Sequence, residues 1–170
     1  MTQEQVELVA LHGLLRQRNN ERNGTYDRKR NPRRSGADIH SDGVAGELAY
    51  KIAFPSSVID LSIGARSGGF DVRTDDGCRI DIKTRRGGDG LNDLLVKCNA
   101  NLTDVDAFVL ASTAHFPATV ELFGLIYKAD VVRRERVNLG HGDNWVVPRS
   151  DPAWHRLAFD DESEVGLHFP

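Results

Sequence analysis

Apolar residues along the chain recur with two periods, and each period predicts an element. Over residues 3–17, Leu8, Leu11, Leu14 and Leu15 form a stripe at helical spacing, with Val6, Ala10, Gly13 and Gln17 as a weaker second row. A second helix is predicted from a cap at Ser41 or Asp42 through Val44, Leu48, Tyr50 and Ile52, ended by Pro55. Between the two, residues 19–36 carry no apolar period and are punctuated by Gly24, Pro32 and Gly36, the pattern of a loop or arm. From 58 to 65 the pattern turns to alternation, with Ile59, Leu61 and Ile63 on one side and Asp60, Ser62 and Gly64 on the other, which predicts a strand. After a Gly68-Gly69 turn, residues 70–74 and 78–85 read as two strands joined by an Asp75-Asp76-Gly77 hairpin turn. Residues 91–102 fit either period: Leu91, Leu94, Leu95 and Cys98 have helical spacing, while 94–97 also suits a strand. Residues 107–112 and 120–127 read as strands, 129–137 as a helix carrying Arg133, Arg134 and Arg136, and Trp145-Val146-Val147 as a last short strand. This order makes an α/β protein with a mixed sheet.

Composition adds little until charge is mapped. The 170 residues are about one domain's worth, and 39% hydrophobic with 28% charged residues is ordinary for a globular chain. No apolar run approaches the ~20 residues of a membrane span. The first ten residues lack the basic start and apolar middle of a secretory signal, so a cytoplasmic protein with Cys78 and Cys98 as free thiols is expected. The net charge of −3 argues against a polyanionic partner, but it is unevenly spread. Between residues 16 and 34, Arg16, Arg18, Arg22, Arg28, Lys29, Arg30, Arg33 and Arg34 face only Glu21 and Asp27, a net +6 that leaves −9 for the remainder. Such a segment is either a solvated connector or a phosphate-binding arm. The chain is accordingly divided into an N-terminal helix with a basic arm (1–40) and one domain (41–170).

The sharpest local chemistry is Arg79-Ile80-Asp81-Ile82-Lys83. On a strand Ile80 and Ile82 share the core face, while Asp81 and Lys83 share the other, roughly 7 Å apart. A second acid-x-Lys triplet, Asp27-Arg28-Lys29, lies in the polar arm, where nothing would fix its geometry. Asp71 stands across the hairpin turn from Asp81, and Glu47 is a lone acid in the packable run Gly43-Val44-Ala45-Gly46-Glu47-Leu48-Ala49-Tyr50. Three carboxylates meeting at one point repel unless a cation or protons neutralise them, and oxygen ligands of this kind suit Mg²⁺ or Mn²⁺. The six histidines show no ligand spacing, and His141-Gly142-Asp143-Asn144 reads as a turn. There is no Walker A, GxGxxG or GxSxG motif.

Glu47 in a helix, Asp71 after a Gly-Gly turn, and Asp81-Ile82-Lys83 on the next strand resemble the PD-(D/E)XK nuclease superfamily over residues 41–127, although Phe70 rather than proline precedes Asp71. The resemblance implies a restriction-endonuclease-like core: a mixed central β-sheet flanked by helices, with the element at 91–102 as the crossover helix. It implies a Mg²⁺-dependent nuclease (Mn²⁺ as substitute) acting on DNA more than RNA, with a homodimer compatible. Glu47, Asp71 and Asp81 with the Ile82 carbonyl would hold the metal, and Lys83 would orient the attacking water. Arg28, Lys29, Arg30, Arg33, Arg34, Arg66, Arg85 and Arg86 would meet the nucleic-acid backbone. The alternative is a catalytically inactive nucleic-acid-binding or protein-interaction module on the same fold.

Overall fold

A computed structural model describes residues 1–24, 34–63, 69–86, 92–140 and 142–158. The chain opens with helix α1 (Gln3–Arg22), where Thr2 and Gln5 form a capping box. The helix outruns the predicted end at 17 although Asn19 and Asn20 are weak helix formers: Arg18, Glu21 and Arg22 favour it, Gln17 Nε2 donates to Glu21 one turn on at 2.7 Å, and Asn23 and Gly24 (φ +64°) stop it. Its packing face also departs from expectation. Val9 and Gly13 are buried, whereas Leu8, Leu11 and Leu14 are exposed. The small residue decides this: Gly13 lets α1 press on the backbone of α2 at Ala37 and Ser41.

Helix α2 (Gly36–Ala53) is capped by Ser35, six residues before Ser41, the earlier of the two expected caps. Ser35 and Asp38 form its capping box, with the Ser35 hydroxyl accepting from Asp38 N–H at 3.1 Å and the Asp38 carboxylate from Ser35 N–H at 3.0 Å. Residue 41, where the domain was expected to start, therefore lies inside a helix.

Among the described residues the strands form two sheets. The central one has the order β1 (Val58–Ile59), β2 (Val72–Arg73), β3 (Arg79–Arg85), β5 (Ala107–Ser112), β6 (Glu121–Tyr127). β3 and β5 run parallel, and the other pairings are antiparallel, so the sheet is mixed. β1 is far shorter than the 58–65 alternation suggested, since β2 offers it two partners only. The β2–β3 turn is as expected, with Gly77 at φ +87° and a Thr74 N–H to Cys78 carbonyl bond of 3.0 Å.

The second sheet is antiparallel, in the order β4 (Leu94–Lys97), β8 (Asp143–Val147), β7 (Arg136–Asn138). Of the element at 91–102, which fitted either period and which the resemblance made a crossover helix, residues Leu94–Lys97 are a strand that pairs with Val147–Asn144 across the second sheet; residue 91 lies outside the described residues. The helix expected over 129–137 is a single turn, α3 (Lys128–Val131), followed by β7.

One face of the central sheet, with Val72, Ile80, Ile82, Val109 and Ala111, packs under α1 and α2. The opposite face, with Phe108 and Ile126, packs with Leu94, Val96, Trp145 and Val147 of the small sheet. No described helix is long and apolar enough to cross a membrane, and both cysteines are free.

Candidate active site

Strand β3 positions the central pair. Its register with β5 sets Ile80 beside Ala107 and Ile82 beside Val109 under the helices. Asp81 and Lys83 lie in the alternate register, beside Phe108 and Leu110, and project from the other face. Lys83 Nζ bonds both Asp81 oxygens, at 2.8 and 2.6 Å. Asp81 is nearly buried and Lys83 is about one-third exposed.

Asp71 is buried at the start of β2. Its N–H donates to the Ile80 carbonyl at 2.8 Å, and its carboxylate accepts from Ile82 N–H at 2.7 Å. β2 ends its pairing at Val72, so this carboxylate takes the next ladder position along β3. A strand residue directs its N–H and C=O to the same edge, so the Ile82 carbonyl shares the Asp71 side of β3. Asp71, Asp81 and the Ile82 main chain are thus brought together by the hairpin.

Glu47 is not brought to them in this way. Its neighbour Gly46 packs against Thr84, Ala111 and Ile82, on the helix side of the sheet. The Glu47 carboxylate is clasped by Arg16 of α1 at 3.0 and 2.8 Å, with the two side chains 11% and 4% exposed. Glu47 and Asp81 therefore start from opposite faces of β3. Among the described residues, no three His, Cys, Asp or Glu side chains form a group that could hold a metal ion. Two carboxylates are nonetheless sufficient protein ligands for Mg²⁺, which keeps several waters and takes further oxygens from substrate phosphates. Asp71 and Asp81 fit that requirement; Glu47, as placed, is outside it.

Of the basic residues expected to meet a phosphate backbone, Arg28, Lys29, Arg30, Arg33 and Arg66 lie outside the described residues. Arg34 is paired with the nearly buried Asp42, and Arg86 approaches the same carboxylate at 3.9 Å. Arg85 does face the site: with Asp81 and Lys83 it lines one side of a cleft of about 460 Å³. The other side comes from the small sheet, with Leu95 and Lys97 of β4, Leu139, and Asn144 of β8. Lys97 and Asn144 are cross-strand partners, and Asn144 Nδ2 is held by the Gly142 carbonyl at 2.9 Å.

Sequence reasoning missed Arg16 as the partner of Glu47, and Lys97, Leu139 and Asn144 as cleft residues. The one available signal was the turn holding Asn144, which was read only as a turn. Lys97 and Asn144 become neighbours through a pairing between residues 47 positions apart in the chain, and no local period reports it.

No curated protein matches this chain. A family model described as a family of unknown function (DUF5843) matches residues 1–119, which take in α1, α2, the β2–β3 hairpin, β4 and β5. That match spans well over half of the sequence, and the chain belongs to this family.

Proposed function

We propose that this protein is a metal-dependent nuclease with a restriction-endonuclease-like core, hydrolysing phosphodiester bonds of DNA in preference to RNA. The observation that carries the reading is the Asp81–Lys83 pair on β3, open to a cation-bearing cleft and flanked by the Asp71 carboxylate at Ile82. Asp71, Asp81 and the Ile82 carbonyl would hold Mg²⁺ or Mn²⁺. When bound, such an ion lowers the pKa of a water and offsets charge developing on the phosphate. Lys83, anchored by Asp81, presents an ammonium to the phosphate and orients the attacking water. Arg85 and Lys97 add positive charge around the same cleft. β4 in place of a crossover helix is a departure from the superfamily's element order, and it gives the cleft its second side.

The test is cleavage of labelled DNA in Mg²⁺, stopped by EDTA. Asp81→Asn and Lys83→Ala should each lower the rate by at least ~100-fold with the fold intact. Undiminished cleavage by both variants would remove the site assignment. The clasp of Arg16 on Glu47 favours a second reading, a nucleic-acid-binding module without catalysis. Salt-sensitive DNA binding with no cleavage under Mg²⁺ or Mn²⁺ would select it.

A further inference from the structure

The cleft joins two chemistries that a double helix does not present together. Among the described residues, Lys83 and Lys97 bring ammonium groups to it and Arg85 a guanidinium, and the lining carboxylate, Asp81, is already paired by Lys83. Leu95 and Leu139 make part of the remaining lining apolar. Its volume of about 460 Å³ lies in the range of small-ligand clefts.

A duplex offers phosphates and groove edges, but its base faces are stacked away. Apolar lining therefore gains nothing from intact duplex. An unpaired nucleotide carries both groups, a phosphate for the cations and a flat base to bury against the leucines. Asn144, its amide fixed by the Gly142 carbonyl, stands where a polar base edge can meet it. Resting on the nuclease reading above, we infer that the cleft takes an unpaired nucleotide, so that single-stranded nucleic acid is the preferred substrate over intact duplex.

Leu139 is half-buried and stands beside the β7–β8 turn, outside both hydrophobic clusters, so its replacement leaves the core alone. The experiment is fluorescence anisotropy in EDTA with a labelled single-stranded DNA oligonucleotide and a hairpin duplex of the same sequence, at one salt concentration. The single strand should bind at least about tenfold more tightly. Leu139→Ser should weaken single-strand binding by about fivefold or more without changing duplex binding. Leu95→Ser should do the same, and thermal melts of both variants check that they are folded. Equal or tighter duplex binding, no measurable single-strand binding, or single-strand affinity unchanged in both folded variants would overturn the inference. A parallel Mg²⁺ cleavage assay separates the two claims. Strand-selective binding without cleavage keeps this inference and sinks the nuclease. Cleavage of duplex as fast as single strand keeps the nuclease and sinks this inference.

Discussion

Removing the Arg16 guanidinium tests whether α1 is an integral part of the fold. Arg16 makes a two-pronged contact with Glu47, and both side chains are almost withdrawn from water. A solvent-exposed ion pair is worth about 0–1 kcal/mol, because water and salt screen it. Breaking a buried pair costs about 3–5 kcal/mol, since the surviving charge stays in a poorly polarisable site. Arg16→Met keeps the aliphatic stem and deletes the charge, so it should destabilise by about 3–5 kcal/mol, a large share of the 5–15 kcal/mol typical of a whole domain. Urea unfolding at neutral pH measures this as a lower midpoint at unchanged slope. Arg16→Met/Glu47→Gln should recover much of the loss, because an amide in place of the carboxylate leaves no charge to strand. The three variants with wild type close a double-mutant cycle, whose coupling should be about 2 kcal/mol or more. A loss below about 1 kcal/mol for Arg16→Met would show that the pair behaves as a surface contact and that α1 is held by its small-residue packing alone.

Two further outcomes follow from the same helix and from the sheet. At Gly13 an added Cβ would lie 2.1 Å from Ser41 Oγ and 2.8 Å from both the Ala37 carbonyl oxygen and Ser41 N, so Gly13→Ala should destabilise by about 1–3 kcal/mol despite its better helix propensity; a raised melting temperature would refute the close crossing. Asp106 accepts from the guanidinium and the N–H of Arg79, and these bonds hold its pKa down at about 2. A depressed carboxylate contributes stability above its ordinary pKa near ~3.9 and loses it as pH falls towards the folded value. The wild type should therefore lose stability between about pH 4 and 2 more steeply than Asp106→Asn, by a modest margin because Asp106 is 38% exposed and screened; parallel urea midpoints across that range would refute it.

The parts of this fold that were legible in the sequence are those fixed by neighbours in the chain. The β2–β3 hairpin was readable because Asp75-Asp76-Gly77 supplies the left-handed glycine its turn needs, and β5 because an apolar run of strand length has few other uses. The start of α2 was hidden: Gly36 reads as a breaker, yet beside the Ser35–Asp38 capping box it is simply the first helical residue. The leucine stripe on α1 misled for a different reason. Burial there is set by how closely two helices approach, and Gly13 wins that contest over larger residues whose stripe lies elsewhere on the helix. The four residues of β4 carry no local signal that decides between helix and strand; β8 decides it. In the candidate site the same division holds. Asp71, Asp81 and Lys83 lie within one hairpin and were found together, whereas the surroundings of Glu47 depend on Arg16, which arrives on a separate helix.

That division also changes what the charge map means. A count of arginines between residues 16 and 34 suggests a phosphate-seeking arm, but a cation's availability depends on what the fold places beside it. Arg16 neutralises Glu47 and Arg34 neutralises Asp42, both carboxylates being buried or nearly so. Elsewhere Arg79 is taken by Asp104 and Asp106, and Arg134 by Asp151. Part of the apparent basic arm is thus the internal counter-charge of α2. A polyanion would instead meet charge on concave, partly apolar ground, and the β3–β4 cleft offers such a place, with Lys97 on one side and Lys83, held by Asp81, on the other. For a chain of net charge −3 this is the physically sufficient arrangement: the far field can be weakly repulsive while one cleft, at contact distance, is attractive.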